Sequence, residues 1–177
     1  MANLWARLEA APDFGGPRRH LQGLLGDDLV ALLERTGILK AGRESPTFPC
    51  TGLKGLGCRR QIVEIDDELH AVCENLPVEC PDLLLSARDA TKLTVDLVEL
   101  CHALNLVFEL KGAPEPIPDV VGVVKVGYLD SDRVNRQPVY LATRSSGKAY
   151  GEAIASLAIR QGGVPLAILM PTARFLT

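Results

Sequence analysis

The chain reads as a mixed α+β protein ending in an α/β unit: short N-terminal helices, a cysteine-flanked β-hairpin module, a linking helix, then a small ββαβ sheet unit. Three observations predict this. Apolar residues recur at helical spacing in several segments. Four of the five cysteines lie between Cys50 and Cys80, around a strand-turn-strand pattern. After a proline-rich stretch, two β-rich runs, a helical run and a continuous apolar run follow in order. The predicted divisions are residues 1–48, 49–112 and 113–177.

The first helix lies in "MANLWARLEAAPDFGG", where Leu4, Trp5 and Leu8 share a face and Pro12, Gly15 and Gly16 stop it. A second lies in "GDDLVALLERTGILK". Asp27 and Asp28 suit its start, Leu29, Leu32 and Leu33 form its stripe, and Gly37 suits its end. Two such helices raise the question of a helix-turn-helix. Pro17, Arg18 and Arg19 interrupt them, so a helical pair packed on the rest is preferred.

At 177 residues and 47% hydrophobic content, the chain can bury a real core, which argues against a disordered or fibrous protein. Nineteen basic and 22 acidic residues give a net charge of -3, so no general attraction to nucleic acid is visible. The apolar runs fall well short of the ~20 residues that span a bilayer, and Met1 to Ala11 has no signal-type apolar core. These features predict a cytoplasmic protein with no membrane partner. In a reducing compartment, five cysteines are more naturally thiols or metal ligands than a disulfide framework.

Cys50 and Cys58 are separated by seven residues, Cys58 and Cys73 by fourteen, and Cys73 and Cys80 by six. Between the pairs, "RRQIVEI" and "LHAVC" read as strands and "DDE" as their turn. Gly52, Gly55 and Gly57 loosen the first cysteine loop, and Pro49, Pro77 and Pro81 bracket the module. This arrangement resembles a zinc ribbon over residues 49–81, although neither pair has the usual two-residue spacing. The resemblance implies a structural Zn2+ held by Cys50, Cys58, Cys73 and Cys80, closed to substrate, with the metal supplying folding free energy to a segment with little core. It also implies a role beside nucleic acid or a protein partner. Unligated core cysteines and disulfides remain alternatives. His70 is an alternative ligand but reads better as a surface residue. Lys54, Arg59 and Arg60 form a basic cluster in the module, and Glu64, Asp66, Asp67 and Glu68 an acidic one.

"SARDATKLTVDLVELCHALNL" reads as one helix opened by a Ser86/Asp89 capping box, with Leu93, Leu97, Leu100, Cys101 and Leu104 on one face. Cys101 is then a buried small hydrophobe. "ELKGAPEPIPDVVG" reads as a linker. Val121 to Leu129 and Pro138 to Ala142 read as strands, followed by a helix capped by Ser145 or Ser146 that buries Ala149, Ala153, Ile154, Leu157 and Ala158. "VPLAILMP" reads as a strand covered on both faces, completing a βαβ unit. So small a sheet is predicted to be completed by a second copy or by residues beyond Thr177, the latter preferred.

"ATRSSGKAYG" places Gly147 and Lys148 at a helix start but lacks the P-loop glycine and hydroxyl, with Ala142 and Ala149 in those positions. Thr143, Arg144, Ser145, Ser146 and Lys148 at one strand end, with Thr172 and Arg174 at the next, form a candidate anion or nucleotide pocket. Helix capping and solvated charge explain the same residues. His20, His70 and His102 lie in separate elements, and no catalytic constellation is spelled out. The leading expectation is a non-enzymatic, zinc-stabilised binding or regulatory module, associated with nucleic acid or a protein partner. The alternative is an α/β ligand-binding or enzymatic domain using the strand ends near Ser145 and Arg174.

Overall fold

The computed structural model describes residues 4–11, 14–50, 59–75, 80–130 and 136–171. Helices and sheets are mixed throughout. The chain divides into two compact units, one formed by Gly15–Thr94, the other by the segment up to Phe14 together with the residues from Val95 onward. The division thus falls ahead of the helix that the sequence reading grouped with the cysteine module.

The first unit contains β1 (Gly15–Pro17), α2 (Arg18–Leu25), α3 (Asp27–Arg35), β2 (Leu39–Glu44), β3 (Thr47–Pro49), β4 (Arg59–Ile65), β5 (Glu68–Cys73), β6 (Leu83–Leu85), α4 (Ala87–Ala90) and β7 (Thr91–Val95). The helix α1 (Leu4–Ala10) belongs to the second unit. Pro17, read as an interruption, is the residue before the first turn of α2, where extended φ and ψ launch the helix. The packing partner of α3 is therefore α2, reached through Gly26 alone at φ +92°. That φ is open to glycine at little cost. Arg18 and Arg19 fasten α2 in place: Arg18 pairs with Glu34 and donates to the Arg88 carbonyl at 3.3 Å, and Arg19 donates to the Leu84 carbonyl at 2.9 Å.

Two sheets form in this unit, ordered β1-β7-β2 and β3-β4-β5-β6. Everything between β2 and β7 is an insertion between neighbouring strands of the first sheet. The Ser45 amide donates to the Ala90 carbonyl at 2.9 Å, and the Ser45 hydroxyl donates to the Thr47 carbonyl at 2.8 Å, so the two chains of the neck are joined. The inserted sheet has its own core of Phe48, Ala71, Leu85 and Ala90, flanked by Ile62, Leu69 and Leu83. Its central hairpin turns through Asp66 (φ 50°) and Asp67 (φ 65°), the left-handed pair that matches strand twist in a two-residue turn.

The predicted long helix from Ser86 is cut in two. The capping box is present, with the Ser86 hydroxyl accepting from the Asp89 amide at 3.1 Å and the Asp89 carboxylate from the Ser86 amide at 3.0 Å. It opens only α4. Thr91 to Val95, with three β-branched residues in five, pairs with β1 instead, burying Leu93 completely. Asp96 then caps a fresh helix through the Val98 and Glu99 amides.

The second unit contains α1, α5 (Leu97–Val107), β8 (Glu115–Pro116), β9 (Val123–Asp130), β10 (Arg136–Ala142), α6 (Gly147–Gln161) and β11 (Ala167–Leu169), with sheet order β11-β10-β9-β8. Strands β9 and β10 are antiparallel, and β10 and β11 are parallel across α6. The proline-rich stretch is not a free linker: Glu115 and Pro116 pair with Lys125 and Val124, and Lys125 binds the Glu115 carboxylate at 2.8 Å. The apolar run at the end contributes a half-buried three-residue strand that pairs only with β10 among the described residues, so the expected double covering is corrected to an edge position.

Helix α6 buries Tyr150, Ala153 and Leu157 against Val120, Val123, Tyr140 and Ala142. The face is rotated from the expected one, since Tyr150 takes a core position and Ile154 stays 40% exposed. Two side chains clamp α6 to β10: the Tyr150 hydroxyl donates to the Ala142 carbonyl at 3.3 Å, and the Gln161 amide to the Tyr140 hydroxyl at 2.6 Å. Between β9 and β10 the register shifts, leaving Val126 as an extra residue whose carbonyl accepts from Asn105 of α5 at 2.8 Å. Gly127 lets that approach happen, because a Cβ there would lie 2.6 Å from the Asn105 amide nitrogen.

The rotated face makes a thermal-unfolding prediction. Leu157→Ala is expected to cost about 2–4 kcal/mol through a core cavity, while Ile154→Ala costs under ~1 kcal/mol; the sequence-based face predicts equal losses.

Candidate functional site

Three of the four module cysteines lie within the described residues, and the fourth, Cys58, lies outside them. The strand register places Arg60 of β4 opposite Phe48 of β3 on one side and Cys73 of β5 on the other. Alternation then directs Arg60, Ile62, Phe48, Ala71 and Cys73 to the same, buried face. Cys50 follows β3, and Cys80 stands just before β6, so both loops deliver their sulfurs to the end of that face where Arg60 sits.

The Cys50 and Cys80 sulfurs are 3.4 Å apart, a thiol hydrogen-bond distance. Cys50 and Cys80 are half-buried, and Cys73 and Cys101 are buried. Arg60 is 8% exposed, and its guanidinium lies against both the Cys50 and Cys80 sulfurs. Burial alone would lower its pKa, but hydrogen bonds and charge interactions with the two sulfurs raise it overall. Its Nε has no hydrogen-bond partner among the described residues. The hydrogen bond with Cys50, followed by burial, raises the Cys80 pKa, with Arg60 acting in the opposite direction and Cys73 adding to the rise.

This arrangement corrects the zinc-ribbon resemblance. Among the described residues no group of three or more His, Cys, Asp or Glu side chains is arranged to hold a metal ion. The charged group beside Cys50 and Cys80 is the Arg60 guanidinium. The insertion also has the apolar core that the metal was invoked to replace, built on four strands rather than on an isolated hairpin. His70 points to the face opposite Cys73 and lies 3.6 Å from Glu68.

Of the basic cluster, Arg59 is exposed, Arg60 is buried, and Lys54 lies outside the described residues. The acidic cluster is fully displayed: Glu64, Asp66, Asp67 and Glu68 are exposed around the β4–β5 turn, together with Ile65 at 44%.

At the proposed anion pocket, Thr143 is wholly buried, and its amide and hydroxyl both donate to the Gly122 carbonyl at 2.8 and 3.2 Å. The Ser146 hydroxyl accepts from the Ala149 amide at 3.3 Å as the cap of α6. Ser145 is exposed, and Lys148, its side chain 87% exposed, lies 3.9 Å from Glu152. Arg144 is half-buried, and its Nε has no partner among the described residues. Thr172 and Arg174 lie outside the described residues.

Cys101 is fully buried in α5, and burial, with a smaller contribution from Asp96, pushes its thiol up to about 12. The sequence reading as a small hydrophobe agrees with this environment. Because the folded pKa is raised, the protonated thiol contributes stability fully below the unfolded value of 9.0, and that stability is lost as pH rises toward 12. Denaturant titrations of wild type and Cys101→Ala from pH 8 upward should therefore converge above about pH 9, and native Cys101 should resist alkylation below it.

No helix among the described residues is long and apolar enough to cross a membrane. Comparison of the chain with protein-family models, curated proteins and solved structures gives no match.

Proposed function

We propose that the chain is a non-enzymatic binding module of a regulatory assembly whose contact element is the tip of the β4–β5 hairpin. The observation that carries this reading is the exposed Ile65, paired across the hairpin with Glu68, on a tight two-residue turn that also displays Glu64, Asp66 and Asp67. Strands of seven and six residues stiffen the tip, so little conformational entropy is lost when it docks. A tip with four carboxylates and one exposed apolar side chain suits a protein surface bearing lysine or arginine beside a small apolar depression. They repel phosphate. Of the basic cluster Lys54, Arg59 and Arg60, Arg60 is buried within the fold.

A labelled peptide with lysines around a leucine is the direct probe. Wild type is expected to bind it with a steep salt dependence. The double substitution Asp66→Asn, Asp67→Asn keeps residues that tolerate positive φ and is expected to weaken binding about fivefold without loss of Tm. Equal binding by the variant rejects the tip as the contact. Labelled duplex DNA is expected not to bind; binding that falls steeply with salt would return the module to nucleic acid.

The alternative reading, an anion or nucleotide site near Ser145 and Arg174, is supported by the unpartnered Arg144 Nε beside the start of α6. Phosphate and nucleotides are expected to leave Tm unchanged. A rise in Tm that Lys148→Ala abolishes and Arg144→Gln reduces would favour the alternative.

A further inference from the structure

We propose that Cys50 and Cys80 are a reversible dithiol–disulfide pair, positioned beside Arg60, that exchanges with low-molecular-weight disulfides of the glutathione class. This goes beyond the partner-binding reading and rests on different residues. Three observations on the insertion lead to it. The two sulfurs are already in contact at 3.4 Å, and closing to a covalent bond of about 2.05 Å requires only a short approach. Both cysteines are half-buried, so a small disulfide has access, whereas Cys73 and Cys101 are buried. A buried guanidinium against both sulfurs, its Nε without a partner among the described residues, is a fixed positive charge where a thiolate forms. Thiolate, not thiol, is the species that attacks a disulfide.

The exchange balances in two displacements. The Cys50 thiolate attacks one sulfur of glutathione disulfide, the S–S bond of that molecule breaks, and one glutathione thiolate leaves and takes up a proton. The Cys80 sulfur, its proton passing to solvent, then attacks the Cys50 sulfur of the mixed disulfide and expels the second glutathione thiolate. The dithiol loses two electrons and two protons, and glutathione disulfide becomes two glutathione thiols. Either sulfur can donate in the Cys50–Cys80 hydrogen bond, and the same two displacements balance with Cys80 attacking first.

The bond would join the end of β3 to the residues leading into β6, closing the outer strands around the β4–β5 hairpin. Oxidation is then expected to tighten the sheet that carries the acidic tip.

The test is made on the full chain, equilibrated in glutathione buffers of increasing oxidation, quenched by alkylation and mapped by peptide mass spectrometry. A Cys50–Cys80 linked peptide should grow with the oxidised fraction and disappear with dithiothreitol, while Cys101 stays free. Cys80→Ser should trap glutathione on Cys50. Arg60→Gln should slow oxidation about tenfold at neutral pH with the same pairing, and Arg60→Lys should restore most of the rate. Should the Arg60 variants fail to fold, the wild-type alkylation rate of Cys50 against pH provides the same readout through the midpoint of thiolate formation. Linkage to Cys58 or Cys73 instead, or both sulfurs still alkylated in fully oxidised buffer, overturns the proposal. So does one zinc per chain by elemental analysis that blocks alkylation of both sulfurs until a chelator is added; that outcome gives the pair to a metal.

Discussion

The hydrogen bond from the Ser45 amide to the Ala90 carbonyl is the constraint on which the first unit depends. It lies where the chain leaves the sheet β1-β7-β2 and where it returns, so β2 and β7 can pair as neighbours although 46 residues, Ser45 to Ala90, are spent between them. Ser45 is buried at 7%, where an unpaired amide would be costly, so the bond is worth more than a comparable one at the surface. With the neck closed, the insertion folds around its own apolar residues and carries its hairpin tip and thiols as one piece.

Inside the insertion, the surroundings of one buried arginine set the chemistry. A buried arginine without a counter-charge is among the costlier arrangements in a small core. Arg60 has the Cys50 and Cys80 sulfurs as hydrogen-bond partners, and its position between Phe48 and Cys73 is set by strand register. A one-residue slip would turn it to the opposite face and remove it from the thiols. The thiol pair and the acidic tip therefore occupy opposite ends of the same strands, one sheltered and one displayed.

Local chemistry was legible in the sequence where one side chain satisfies a nearby backbone group. The Ser86/Asp89 capping box, the Ser146 cap, the Asp66-Asp67 turn and the burial of Cys101 belong to this class. What failed was everything decided at long range. Thr91 to Val95 continued a plausible helical stripe, and only its partner strands β1 and β2, both distant in sequence, made it extended. Helix α2 was hidden because its arginines look like loop residues until Glu34 and two carbonyls come within reach. Arg60 was counted with the surface charges because nothing in the local pattern says that a polar residue occupies a core-facing position of β4. A cysteine count and a hairpin suggest a metal; the guanidinium among the sulfurs is visible only in three dimensions.

The extra residue in β9 has a consequence for how the second sheet is assembled. Helix α5 approaches the sheet closely at Gly127, where any side chain would collide with Asn105 or with the Lys111 carbonyl. Its neighbours Val126 and Tyr128 are bulky, so sliding β9 by one position in either direction drives a large side chain into the helix. The pairing of this hairpin therefore has a single permitted alignment, and misaligned versions are excluded by collision before they can be trapped as competing folded states.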